Sequence, residues 1–266
     1  MQSNSSFHTD TDRRQRYLGE FLMKSGYHVI LAETSPELDL AAASISEYDN
    51  KLLVLLPVPA PAVLLKRLRE SLTPQHIVLG GNIPKEFTAF CDENKIAYID
   101  YFKYPAIAIE NAVATAEGAI CEAISTSEYN LHHSEVLVIG FGKCGEILAD
   151  KLAGLKCHVT ISTRDAIARA RAKAYGYDLL SDNSYQKFNI LFNTAPALVI
   201  GRSVIDQLSS DAVIIDIASA PGGTDFNYCA EKGIQAKLCP GIPGKYSPKT
   251  SAKILYGHIQ EKLSNL

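Results

Sequence analysis

The 266-residue sequence predicts an α/β protein built from two parallel-sheet domains joined by a long helix. Three observations carry that expectation. Helical and strand-like periods alternate in two separate regions, and such alternation specifies a parallel sheet covered by helices. A glycine-rich turn follows an apolar strand at mid-chain, in EVLVIGFGKCGEIL starting at Glu135. Between the two regions runs a helical stretch long enough to bridge domains.

The elements follow in order. RRQRYLGEFLMKSG has helical spacing and ends at Gly26, a residue suited to a left-handed helix terminus. YHVILAE and KLLVLLPVP are short β-rich runs, the second stopped by prolines. APAVLLKRLRESL, HIVLGG, PKEFTAFCDENK and IAYID continue as helix, strand, helix, strand. Residues 1–104 therefore read as a flavodoxin-like parallel α/β domain with no glycine fingerprint, expected on the substrate side. Residues 105–128 form the bridging helix, PAIAIENAVATAEGAICEAISTS, which starts with Pro105 and has no further proline. Glu110, Ala114, Glu117 and Cys121 share one of its faces at three- and four-residue spacing, with Asn111 and Gly118 beside them. Two carboxylates on a face otherwise lined by Ala and Cys are either functional or the exposed edge of a half-buried helix.

Residues 129–245 hold the second alternating region. After EVLVIG come the helix KCGEILADKLAG, strand CHVTIS, helix RDAIARARAKAYG, strand NILFNT, helix GRSVIDQLS, strand AVIIDIAS, helix DFNYCAEKG and strand IQAKL. The intervals specify a doubly wound sheet. Residues 246–266, starting near SPKTSAKILYGHIQEKLSNL, form a helix expected to return toward the first domain.

Composition narrows the function classes. A formal net charge of -3 leaves no basic surface for nucleic acid or anionic lipid. The six cysteines, Cys91, Cys121, Cys144, Cys157, Cys229 and Cys239, show no CxxC pair and no flanking His at zinc spacing, so buried thiols rather than metal ligands or disulfides are expected. The polar and then charged start MQSNSSFHTDTDRRQR lacks a secretory apolar region, and no apolar run approaches membrane-spanning length. The expectation is a soluble cytoplasmic protein without a metal.

The glycine turn carries the first chemistry. Gly140, Gly142 and Gly145, interleaved with Phe141, Lys143 and Cys144, stand directly between an apolar strand and a helix, the context that makes GxGxxG a dinucleotide fingerprint of the Rossmann type. Gly140 permits the tight turn, Gly142 lets the backbone approach a pyrophosphate, and Gly145 lets helix and strand pack closely. The second strand of the domain ends HVTISTR, in Ser162, Thr163 and Arg164, and only then Asp165. An arginine flanked by hydroxyls suits the 2′-phosphate of NADP, whereas a strand-end acid would repel it. The competing reading has Arg164 and Asp165 only opening the next helix, with Thr163 or Asp165 as its cap. Ligands of open α/β sheets bind beyond the carboxyl ends of strands, which brings in Asn193, Thr194 and Pro196 after the fourth strand and Ser219 and the Pro221–Gly223 turn after the fifth. CPGIPGKYSPK follows the sixth as a rigid Pro- and Gly-rich loop.

Together VIGFGKCG, NTAPALVI, IDIASAPGGTDFNYCAEKGIQAKLCPGIPGKYSPKTSAKIL and ENAVATAEGAI resemble the A subunits of dipicolinate synthase from endospore-forming bacteria. The match runs from about Asn111 to Leu255. The resemblance implies oxidation of dihydrodipicolinate to dipicolinate with NADP, in concert with a flavoprotein-like B subunit, in the mother-cell cytoplasm during sporulation. Near the start, Asp12, Arg14 and Gln15 fit a Gly-Gly-Asp-x-Arg-Gln run of the family, with Asp10 and Thr11 in place of the glycines. Asn111, Thr115, Glu117 and Gly118 match its bridging helix, where Ala114 replaces a proline. Ala220 stands where the family has Arg before PGG, and the segment between Leu40 and Thr73 is shorter.

A cyclic imine bearing two carboxylates calls for Arg or Lys. Arg14 and Lys249 are the candidates, with Lys245 behind them; each is equally compatible with a solvated surface cation. Glu117 is the candidate proton acceptor if burial raises its pKa, or else a structural hydrogen-bond acceptor. Ser219 and Thr250 are candidates for bonds to substrate or to the nicotinamide carboxamide. His132 and His133, just before the first nucleotide-binding strand, read as exposed linker residues. Two other functions fit the same residues: another NADP-dependent imine or amino-acid dehydrogenase, and a non-catalytic NADP-binding scaffold.

Overall fold

The computed structural model describes residues 13–32, 52–181 and 184–264. Asp10, Thr11 and Asp12 of the N-terminal motif, and residues 33–51, which include the start of the shortened segment, lie outside the described residues. The chain divides into two compact units, residues 1–108 with 247–266 and residues 109–246. The boundary between the units falls after Ala108, within the stretch expected to form the bridging helix.

The first unit contains α1 (Arg13–Lys24), β1 (His28–Leu31), β2 (Leu52–Leu55), α2 (Ala62–Ser71), β3 (His76–Gly80), α3 (Lys85–Glu93), β4 (Ala97–Asp100) and a 3₁₀ turn at Tyr101–Lys103. Its described strands pair in parallel in the order β1-β2-β3-β4. Side chains alternate across a strand, so each sheet makes two cores. Leu52, Val54 and Val78 pack under α2 and α3, with Leu64, Leu68, Phe87 and Cys91. Leu53, Leu55, Ile77 and Leu79 face the other way, toward Leu18 and Leu22 of α1 and Leu255 and Ile259 of the C-terminal helix. That helix, residues Pro248–Leu263, is joined to α1 by the Ser25 and Tyr256 hydroxyls at 2.6 Å.

The bridging helix α4 spans Pro105–Thr126. The second unit continues with β5 (Glu135–Ile139), α5 (Lys143–Gly154), β6 (His158–Ser162), α6 (Ala166–Ala174), β7 (Asp178–Leu179), β8 (Ile190–Asn193), α7 (Arg202–Ile205), β9 (Val213–Asp216), α8 (Phe226–Lys232), β10 (Gln235–Leu238) and α9 (Ile242–Tyr246); the C-terminal helix is α10. Two of these elements, β7 and α9, are additions to the sequence expectation. Two-residue β7 is too short to show a period, and α9 lies in the Pro- and Gly-rich stretch expected to be loop. The sheet is parallel throughout, in the order β10-β9-β8-β5-β6-β7. Numbered along this unit, that is the 3-2-1-4-5-6 order of the Rossmann fold. Val136, Val138, Phe192 and Ile215 face α4, α5 and α6, whereas Leu137, Ile139, Leu191 and Ile214 face α7 and α8.

One carboxylate fastens α9 to α4. Glu122 is 3 % exposed and accepts bonds from Lys237 Nζ of β10, Lys245 Nζ of α9 and the Tyr246 hydroxyl, each at 2.6 Å. One turn earlier, a Cβ on Gly118 would lie 2.2 Å from Ile242 Cγ2 and 2.6 Å from the Tyr246 ring, so the closeness of α9 requires glycine there. Burial pushes the Glu122 carboxyl upward, but the donated bonds from Lys237, Lys245 and Tyr246 outweigh it and lower its pKa from 4.5 to about 2. The depressed value means that the stabilisation is full above pH 4.5 and is lost as pH falls from there toward 2. Glu122→Gln is therefore expected to lower Tm by about 5 °C at pH 7. In thermal unfolding at stepped pH the gap to the parent chain should narrow through that acidic window, and a gap independent of pH would contradict the assignment.

Candidate functional site

The site grows out of the end of the central strand β5. Gly140 has φ 92°, a left-handed conformation that glycine adopts without strain, and its N–H donates to Ser162 O at 2.8 Å. Thr194 donates to Ile139 O through its backbone N–H at 2.9 Å and its hydroxyl at 3.1 Å. The ends of β5, β6 and β8 are thereby fixed together. A Cβ on Gly145 would sit 2.2 Å from Gly140 O, and one on Gly140 would sit 2.3 Å from Thr194 Oγ1. At Gly142, by contrast, an added Cβ meets nothing within 4 Å. Gly142 caps α5 with no side-chain hydrogen bond, so the helix offers its first N–H groups to an anion at an open backbone face. These features fit a dinucleotide pyrophosphate.

Beside the turn lies a cavity of about 720 Å³, whose lining includes Gly140, Ser162, Thr163, Arg164, Asp165 and Arg169 together with Leu180, Tyr185 and Val199. Asp165 does cap α6, its Oδ1 accepting from Ala168 N at 2.7 Å, and Arg164 remains on the cavity wall. Arg169, one turn along α6, adds a second guanidinium and reaches Thr163 O at 3.5 Å. Burial raises the Tyr185 phenol above its usual pKa, and the charge of nearby Arg164 acts against that rise.

The other glycine-turn residues divide by environment. Phe141 is 2 % exposed and packs with Tyr177 at a ring separation of 5.9 Å, so its side chain serves the core and only its backbone belongs to the turn. Lys143 is exposed, and Cys144 is partly buried, its thiol pKa raised by desolvation. Burial also pushes the thiols of Cys91, Cys229 and Cys239 up to about 11, whereas Cys121 is exposed. Among the described residues no His, Cys, Asp and Glu cluster could hold a metal, and no helix is long and apolar enough to cross a membrane.

Asn193 is fully buried and folds back on its own loop, exchanging bonds with Ala195 N and O at 3.0 Å each. Pro196 is exposed. Asp216, at the end of β9 and fully buried, accepts from Ala218 N at 3.0 Å, Gly223 N at 2.8 Å and Thr224 Oγ1 at 2.7 Å. Gly223 then lies so close to the neighbouring loop that a Cβ there would be 2.3 Å from Ala197 O. Ser219 stands exposed on the turn that Asp216 shapes, its carbonyl accepting Gly222 N at 2.9 Å. Asp216, Arg169, Tyr185 and Glu122 were all passed over by sequence reasoning; the one visible signal was an acid ending the apolar run VIID.

The candidate substrate residues are less uniform. Glu117 is not the buried carboxylate of α4: its side chain is 54 % exposed and pairs with Lys151 Nζ at 2.9 Å. Lys245 is committed to Glu122. Lys249 and Thr250 are exposed at the start of α10. Arg14 is 8 % exposed, its guanidinium carbon 5.7 Å from the centre of the Phe102 ring. Asn111, also 8 % exposed, keeps an Oδ1 with no hydrogen-bond partner.

No protein-family model matches the sequence. The chain is 32 % identical over 210 residues to the A subunit of dipicolinate synthase from Bacillus subtilis (strain 168), an alignment covering 77 % of this chain and 70 % of that one. Its structure is similar to that of the dipicolinate synthase A chain from Bacillus subtilis, with a TM-score of 0.78 at 25 % identity over 95 % and 93 % of the two chains. It is also similar to the corresponding protein, the dipicolinate synthase A chain, from Bacillus halodurans, with a TM-score of 0.74 at 25 % identity over 90 % and 98 %. The Rossmann-ordered sheet and the glycine cradle have the shape that a dinucleotide requires. Identity at this level, over most of both sequences and with the same fold, means that the chain belongs to the family of dipicolinate synthase A subunits.

Proposed function

We propose that this chain oxidises dihydrodipicolinate to dipicolinate with NADP as hydride acceptor, together with a flavoprotein-like B subunit, in the mother-cell cytoplasm of a sporulating bacterium. The observation that carries the choice of cofactor is the cavity beside the glycine turn, whose lining includes Ser162, Thr163, Arg164 and Arg169, while Asp165 caps the next helix. Two guanidiniums and two hydroxyls suit a phosphate monoester, and an engaged carboxylate is a poor partner for a ribose diol.

Aromatisation of the ring removes one hydride and one proton, so the protein's work is orientation and charge. When bound, the nicotinamide supplies hydride acceptance. Gly140, Gly142 and Gly145 would hold the pyrophosphate at the α5 N-terminus, and the loops shaped by Asn193 and Asp216 fix the carboxyl ends of β8 and β9, beyond which the ring would lie. Arg14 and Lys249 are the proposed partners of the substrate carboxylates, and Ser219 and Thr250 the proposed hydroxyl contacts. Arg14 suits its role best, because partial burial strengthens a charge-assisted bond. Glu117 remains the proposed proton acceptor on motif grounds alone, since its exposed pairing with Lys151 does not provide the desolvation that such a role calls for.

Arg164→Asp is expected to weaken NADP binding by about a hundredfold and NAD by no more than about threefold, as measured by fluorescence titration. Equal losses for the two cofactors would remove Arg164 from phosphate recognition. The activity is tested by following NADPH formation from NADP and freshly generated dihydrodipicolinate, with the chain alone and then with the B subunit. Product with the chain alone assigns hydride transfer to it, and product only in the mixture means that the partner completes the site. Cofactor binding without turnover in either would contradict the proposal and leave a scaffold.

A further inference from the structure

The first helix of unit one opens with a buried cation and a buried amide at consecutive positions. Arg14 and Gln15 are 8 % and 4 % exposed. The Gln15 amide nitrogen donates to the Tyr101 hydroxyl, while its Oε1 is buried and makes no hydrogen bond. Buried acceptors in folded proteins are nearly always paired, and an isosteric apolar side chain would fill the same space without an unmet acceptor.

The surroundings are built to hold this pair. A Cβ on Gly81 would lie 2.7 Å from the Phe102 ring and 2.8 Å from that of Tyr101, so the backbone after β3 is packed directly on both rings. Asp100, 5 % exposed at the end of β4, fixes that backbone by accepting from Asn82 N at 2.9 Å and Ile83 N at 3.2 Å. Phe102 in turn lies beneath the Arg14 guanidinium. The group sits at the carboxyl ends of β3 and β4, the edge where open parallel sheets bind ligands.

A cation beside an acceptor whose other amide atom is already committed matches a ligand carrying an N–H next to a carboxylate. We propose that Gln15 is a specificity-determining residue that accepts, through Oε1, the ring N–H of a protonated cyclic 2-carboxylate, while Arg14 takes the adjoining carboxylate. The inference rests on the substrate class proposed above, a six-membered nitrogen ring flanked by two carboxylates, and adds that the nitrogen itself is read. A carbocycle of the same shape with the same two carboxylates would offer Arg14 a carboxylate but leave Gln15 Oε1 unmet.

The experiment is calorimetric titration of the full chain, saturated with NADP, with dipicolinate, cis-piperidine-2,6-dicarboxylate and cis-cyclohexane-1,3-dicarboxylate. The parent chain is expected to bind the piperidine at least about tenfold more tightly than the cyclohexane. Gln15→Met, close in shape, should shrink that ratio to about twofold, and Gln15→Glu, which keeps an acceptor, should preserve or widen it. Thermal unfolding checks each variant, and if Gln15→Met does not fold, the Gln15→Glu ratio decides. A parent chain that binds both saturated rings alike, a ratio unchanged in Gln15→Met, or one that collapses in Gln15→Glu overturns the role of Gln15 while dipicolinate binding leaves the substrate class standing. Failure of all three dicarboxylates to bind would instead overturn the substrate class, and the inference with it.

Discussion

Everything that the nucleotide-binding unit offers a ligand depends on one close approach, that of Gly145 to the carbonyl of Gly140. With only 2.2 Å between an added Cβ and that oxygen, no larger residue allows α5 to begin where it does. The approach aims the helix N-terminus along the open backbone of Gly142, and favourable partial charge falls off within the first turn. Because β5 is the central strand, with β6 on one side and β8 on the other, the same contact sets where Ser162 and Thr194 emerge.

A second constraint works at the far side of the sheet. Asp216 is a carboxylate without solvent, kept there by three donors from residues within eight positions of itself. Removing a donor would leave a buried oxygen short of a hydrogen bond, which costs more than the bond itself contributes, so the turn from Ala218 to Thr224 has little freedom. Gly223 then carries that rigidity into the loop after β8, whose Ala197 carbonyl lies against it. Two loops that belong to different strands thus behave as one wall.

What the sequence made legible was local. The glycine turn could be read because its strand, turn and helix are contiguous, and the Asp165 cap because its partner Ala168 lies three residues away. Most core strands could be placed because apolar β-branched runs need no partner to be recognised. Glu122 could not, since its lysine partners stand 115 and 123 positions along the chain. Spacing on α4 placed Glu117 correctly on a face but not on which face is buried; the exposed side took Glu117, and Glu122 went inward. Gln15 was visible as a motif residue, yet its unmet oxygen depends on Tyr101, 86 positions away. Residues whose role is set by distant partners are silent until the fold brings those partners together.

The most direct test of the account is a crystal structure of the chain with NADP bound. The pyrophosphate is predicted to lie over Gly142 at the start of α5, with the 2′-phosphate between Arg164 and Arg169. A dinucleotide bound elsewhere, or one whose 2′-phosphate points into solvent away from both arginines, would contradict it.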